Sequence, residues 1–150
     1  MSMRDLKNHI FAVADATGRD VTNLQLHKVM FLSFCWILQH EGPNSDLVKE
    51  TYDIPFQKWM YGPVVESIYF EYSIFGRTPI RTNEGEFIEE LSNVPGLNDF
   101  IENLLEQEPF HLVDITHSMA SWANYEQDIL ARNYVAPYSI EEIDHDLVQR

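Results

Sequence analysis

Phe56-Gln57-Lys58-Trp59-Met60-Tyr61-Gly62-Pro63-Val64-Val65-Glu66-Ser67-Ile68-Tyr69-Phe70-Glu71-Tyr72 is the stretch whose reading decides the fold. Its approach alternates like extended chain, with Ile54, Phe56 and Lys58 on one face and Pro55, Gln57 and Trp59 on the other. Gly62-Pro63 marks a sharp turn, and Pro63 suits the first turn of a helix because its missing N–H would be unpaired there anyway. In the helix expected to follow, Val65, Ile68, Tyr69, Tyr72 and Phe75 fall on one stripe, and Gly76 is placed to stop it in the left-handed conformation. Gly62 and Pro63 are therefore expected to be structural.

Upstream, Leu6, Ile10, Val13 and Ala14 repeat at helical spacing over residues 4–16, with Gly18 as a stop. Thr22 and Gln25 form a capping-box pattern, in which each side chain satisfies an orphan backbone N–H at a helix start. The helix they open, residues 23–40, is apolar almost all round, which requires other elements to surround it. It is the expected central helix, with Cys35 and Trp36 buried in it, and Gly42-Pro43-Asn44 ends it.

Residues 44–53 read as a polar connection, and Thr78-Pro79-Ile80-Arg81-Thr82 as a short strand beside residues 54–59, kept to an edge by Pro79. Asn83 with Glu86 is a cap pattern before Phe87, Ile88 and Leu91. Leu97, Phe100, Ile101, Leu104 and Leu105 form a clear amphipathic helix, and residues 110–119 continue helically. Ser121 is expected to cap a helix carrying Trp122, Tyr125, Ile129 and Leu130, and Ser139 with Glu142 to form a last capping box. The expected architecture is mainly α: a single domain over residues 1–150 with about seven or eight short helices around helix 23–40. A small two-stranded β element at residues 54–59 and 78–82 completes it.

With 150 residues, 45% hydrophobic and 13% aromatic, the chain is composed to bury a core. Its 24 acidic and 10 basic residues leave a net charge of −14, which disfavours nucleic acid and anionic membranes as partners and favours a basic partner, or only solubility. The imbalance is concentrated: residues 82–131 hold eleven carboxylates and no Lys or Arg. They are either a solvated surface or a field that steers a basic partner. One cysteine permits no internal disulfide, and no apolar run approaches the roughly 18 residues of a membrane span, so a cytoplasmic location is expected.

The six histidines (9, 27, 40, 111, 117 and 145) include no pair four apart, and His117 reads as a polar core or capping residue, so no metal site is expected. Phosphate-binding glycine loops are absent, and Cys35 sits where a thiol is inert. No catalytic constellation emerges, so neither enzymatic activity nor a cofactor is expected. The aromatic cluster is the remaining candidate. Tyr69 and Phe70 cannot share a helix face, so part of the set must lie near the surface. Trp59, Tyr61, Glu66, Phe70 and Glu71 are the candidate partner-binding residues, joining rigid aromatic anchors to carboxylates.

The ordered motifs resemble the Panacea antitoxin domain, the family of SocA-like and phage-associated GepA-type proteins. Leu24-Gln25-Leu26-His27-Lys28-Val29-Met30-Phe31 with Trp36 is similar to its leucine-rich helix start, and Phe56 to Val64 to its extended Trp-x-Tyr-Gly-Pro-Val turn. Ile68-Tyr69-Phe70-Glu71-Tyr72 through Phe75-Gly76 is similar to its aromatic helix, and Leu112 to His117 with Trp122 to its Thr-His…Trp segment. The likeness spans most of residues 5–147. It implies a small helical protein that neutralises an adjacently encoded toxin, by direct binding or by presenting the toxin to a protease. The alternative from charge alone is a phage-type inhibitor that imitates nucleic acid and blocks a basic DNA- or RNA-binding protein.

Overall fold

The computed structural model describes residues 1–148. Helix α1 spans Met3–Thr17, opened by the Ser2 hydroxyl accepting from the Asp5 N–H and closed by Gly18 in the left-handed conformation. Helix α2 spans Asn23–Glu41, and Thr22 caps it by accepting from the Gln25 N–H. The reciprocal half of that box is not made, because the Gln25 amide donates instead to the Leu105 carbonyl. A short helix α3, Asp46–Thr51, occupies the segment expected to be a polar connection; its Ser45 cap and buried Val48 and Thr51 were too few to signal a helix.

The β element is a hairpin: β1, Gln57–Trp59, pairs antiparallel with β2, Gly62–Val64, with Trp59 opposite Gly62 and Gln57 opposite Val64. This corrects two expectations. Pro63 does not open a helix but lies in β2 opposite Lys58, and residues 78–82 form no strand. The extended period simply continues through the turn, and the nearer segment takes the pairing; Ile80 instead donates its N–H to the Val21 carbonyl. Helix α4, Glu66–Glu71, follows, and a 3-10 turn, Ser73–Phe75, ends at Gly76. Gly76 has positive φ but ψ of −124°, outside the left-handed helical well.

The remaining helices are α5 (Glu89–Ser92), α6 (Leu97–Glu106), α7 (Pro109–His117), α8 (Ala120–Ala123), α9 (Glu126–Leu130) and α10 (Ile140–Val148). Ten α-helices among the described residues exceed the expected seven or eight because short ones break longer patterns. Asn83 and Glu86 cap nothing, since α5 starts only at Glu89, and Ser121 lies inside α8 rather than capping it. Ser139 and Glu142 do form the expected reciprocal box.

Helix α2 is the hub. It packs against α1, α3, α6, α7, α10 and β2, and 14 of its 19 residues are buried, which is why it has no polar face. Phe31 and Phe34 meet Phe56 from the hairpin approach, and Phe31 also meets Tyr138 ahead of α10. Cys35 is buried as expected. Trp36 is only half-buried: its Nε1–H donates to the Pro95 carbonyl, and its ring stacks between His40 and Phe100 at the core edge.

Gly62 carries a specific demand. Its φ is 102°, and a Cβ there would lie 2.6 Å from Thr116 Oγ1 and 3.1 Å from Lys28 Cε. Gly62→Val should therefore lose about 1–3 kcal/mol of stability, read as a lowered urea midpoint. Gly18→Asn should lose far less, because nothing lies within 4 Å of a Cβ at Gly18 and Asn tolerates its left-handed backbone. Equal midpoints for Gly62→Val and the wild type would contradict the close packing.

Candidate functional site

A hairpin of two three-residue strands leaves most of its backbone polar groups unpaired, and this one is packed into the protein. Side chains of three helices complete it. From α8, the Trp122 Nε1–H donates to the Trp59 carbonyl at 2.8 Å. From α7, His117 Nε2 bonds the Met60 carbonyl at 2.9 Å, which makes that nitrogen the donor, and the imidazole stacks on the Trp122 indole at 3.7 Å. From α2, Lys28 Nζ donates to the Pro63 carbonyl at 2.9 Å, and the Val65 N–H donates to His27 Nδ1 at 3.2 Å. The turn, the strand and the entry to α4 are each held at an atom. His117 and Trp122 therefore both act on the hairpin backbone, one at each of two adjacent carbonyls.

His27 must be neutral. Its Nδ1 accepts the Val65 N–H, so the ring proton sits on Nε2, which bonds Asn23 Oδ1 at 3.1 Å, and the Asn23 amide donates on to the Tyr69 carbonyl. Burial, reinforced by the neighbouring Lys28 charge, holds its pKa well below the usual histidine value. This chain fixes α4 against the start of α2.

Above the bracing lies a cavity of about 630 Å³, lined from α2 by Asn23, His27 and Lys28, from the hairpin by Trp59 and Tyr61, and from α4 by Tyr69. Arg77, Glu108 and Phe110 also line it. Aromatic edges form its rim: Trp59 meets Tyr69 at 5.1 Å and Tyr61 meets Phe110 at 5.9 Å between centroids, both T-shaped, and Phe70, outside the lining, packs on Trp59 at 6.2 Å. Tyr61, Phe70 and Phe110 are each more than half exposed. Such rings present large apolar area with little side-chain entropy to lose.

Of the five expected partner-binding residues, the structure brings together Trp59, Tyr61 and Phe70. Glu66 is exposed at the first turn of α4. Glu71 is turned elsewhere: its carboxylate pairs with Arg4 at 3.1 Å and approaches Lys7 at 3.7 Å, so it belongs to the contact with α1 and not to the rim. The acidic stretch contributes Glu108 to the cavity, while Glu84 and Glu106 pair with Lys7 and Arg19. Among the described residues no cluster of His, Cys, Asp and Glu is arranged to hold a metal ion, and no helix is long and apolar enough to cross a membrane.

His27, Lys28 and Phe110 were not singled out for the site from sequence. Their signal was present: a histidine and a lysine interrupt an otherwise apolar helix, and a charge in such a run needs a reason. Lys28 is fully buried, with a single acceptor among the described residues, the Pro63 carbonyl. Burying an ammonium costs several kcal/mol, and one charge-assisted hydrogen bond returns about 1.5–3, so the amine is pushed toward its neutral form. Desolvation accordingly brings its pKa down to about 7.

The chain matches no family model, no curated protein and no solved structure.

Between pH 7 and the ordinary lysine value near 10.5, the unfolded chain keeps the Lys28 proton that the folded state has released. Removing that proton from solution conditions favours folding, so stability should rise across this window. Urea titrations at pH 7 and 9.5 should show the wild type gaining stability relative to Lys28→Met. A pH-independent difference would mean that Lys28 stays charged in the fold.

Proposed function

We propose that this protein is an antitoxin-like binding module that neutralises a cognate, adjacently encoded toxin by direct contact through the aromatic rim. The observation that carries the reading is the combination of exposed rings at a cavity on a braced hairpin: Tyr61 and Phe110 in its lining, and Phe70 packed on the lining residue Trp59. Aromatic anchors on a rigid support are what an interface centre uses. Two of the residues that brace the hairpin, His117 and Trp122, also fall within the motifs that resemble the Panacea antitoxin domain. A net charge of −14 suits a toxin with a basic surface. Presentation of the toxin to a protease would use the same contact.

A second reading has its own observation. Nine of the eleven carboxylates in residues 82–131 are in no ion pair among the described residues, Glu84 and Glu106 being the exceptions. An unneutralised stretch of this kind is the requirement for a phage-type inhibitor that imitates nucleic acid and occupies a basic DNA- or RNA-binding protein.

Co-expression with the neighbouring reading frame separates them. On the antitoxin reading the neighbour is toxic alone, is rescued by this protein and co-purifies with it. Tyr61→Ala and Phe70→Ala should each abolish rescue with melting temperatures close to wild type, since both side chains are more than half exposed. A harmless neighbour that does not co-purify contradicts the proposal. Recovery of nucleic-acid enzymes instead, with binding lost steeply as salt rises, supports the second reading.

A further inference from the structure

Several side chains that line the cavity have polar groups left over. The Tyr61 and Tyr69 hydroxyls are in no hydrogen bond among the described residues, and the Glu108 carboxylate and Arg77 guanidinium are in no ion pair among them. Lys28 adds nothing to these, being wholly buried with its amine on the Pro63 carbonyl. The rest of the lining is chiefly apolar, with Trp59 and Tyr69 half-buried and Met60, Tyr61 and Phe110 exposed. A cavity of about 630 Å³ lies in the range that holds a compact organic body, so it accepts a large side chain.

Charge decides what kind of chain can bring that side chain in. Glu108 stands in the lining beside Pro109 and Phe110. Glu66 precedes the lining residue Tyr69 by three positions in α4, so the two share a helix face, and Glu66 is exposed and in no ion pair among the described residues. Against these two carboxylates the lining presents one exposed base, Arg77, which lies past the C-terminal end of α4, at the other end from Glu66. With a net charge of −14 on the chain, the surroundings of the opening are negative. Aromatic faces also attract cations, and this fold already uses such a contact, with Lys58 Nζ 3.8 Å from the centroid of the Tyr125 ring. An anionic partner is disfavoured by the same charge, and so is a second copy of this chain.

We infer that the cavity takes a bulky apolar side chain of a basic protein segment, with Lys or Arg residues flanking that anchor meeting Glu66, Glu108 and the aromatic faces. The inference rests on the binding-module reading and gives the chemistry of the partner segment: one apolar anchor between cations. The anchor supplies the buried area and the cations supply the choice of partner.

The test uses the full-length protein and three amidated, N-acetylated peptides: Lys-Lys-Phe-Lys-Lys, Lys-Lys-Ala-Lys-Lys and Glu-Glu-Phe-Glu-Glu. Binding is followed by shifts of the Trp59 and Trp36 indole N–H resonances. The Lys peptide with Phe should bind about tenfold more tightly than either of the others, the order expected for one partly buried ring. It should shift Trp59, in the lining, and leave Trp36 unmoved. In Phe110→Ala, at an exposed position, the preference for Phe over Ala should shrink. In the double variant Glu66→Gln with Glu108→Gln, the preference for Lys over Glu should shrink further than in Glu89→Gln with Glu90→Gln, which removes the same charge from α5, outside the lining. Equal affinity for the Phe and Ala peptides, equal affinity for the Lys and Glu peptides, equal effects of the two double variants, or no binding overturns the inference. Toxin rescue that persists alongside any of these results leaves the binding-module reading standing. Peptide selectivity retained with a harmless neighbouring gene product sinks only the toxin reading.

Discussion

The structure depends on how the short hairpin at residues 57–64 finds partners for its backbone. Two three-residue strands are too little sheet to be stable alone, and a buried N–H or C=O left unpaired costs about 1–3 kcal/mol. Four side chains from outside the hairpin bond it at Trp59, Met60, Pro63 and Val65, and at the buried Pro63 carbonyl and Val65 N–H they remove that cost. They come from α2, α7 and α8, so the folded hairpin leans on the helical core, and the core in turn includes Phe56 and Val65 beside it. The small β element is in this sense a product of the helices.

The same bracing explains why the candidate site is a surface with fixed shape. The carbonyls on either side of the turn are tied down, so Trp59 and Tyr61 project from a rigid support and meet Tyr69, Phe70 and Phe110 edge to face. Lys28 holds the Pro63 carbonyl from the buried side of the hairpin. Thr116 and Lys28 press on Gly62, which leaves no room for a side chain there.

Much of the fold was legible because it rests on period and punctuation. The central helix was marked by an apolar run that has no wet face, α1 by its spacing and by Gly18, and α10 by the Ser139–Glu142 box. The hairpin was not, because an extended segment pairs with whatever is nearest, and Gly62-Pro63 reads equally as a turn into a helix or as a strand start. For the candidate site, composition and helix geometry pointed to Trp59, Tyr61 and Phe70, of which Trp59 and Tyr61 line the cavity and Phe70 packs on Trp59. Glu71 was misplaced because a carboxylate one residue from an aromatic gives no sign of the arginine on another helix that claims it. Trp36 was expected inside because its neighbours are apolar; its indole N–H needs an acceptor and finds Pro95 at the edge. Lys28 and His27 had a visible signal in their polarity, but their partners lie 35 and 38 residues away, beyond the reach of local pattern.

The central claim, that helix side chains complete the hairpin backbone, is tested most directly by amide hydrogen exchange at Val65. Its N–H points to no backbone carbonyl and bonds His27 Nδ1. In the wild type it should exchange as slowly as Phe31 in the centre of α2, through global opening. In His27→Ala it should exchange faster by local opening, ahead of Phe31. Rapid exchange of Val65 in the wild type, or a rate unchanged relative to Phe31 in His27→Ala, would contradict the account.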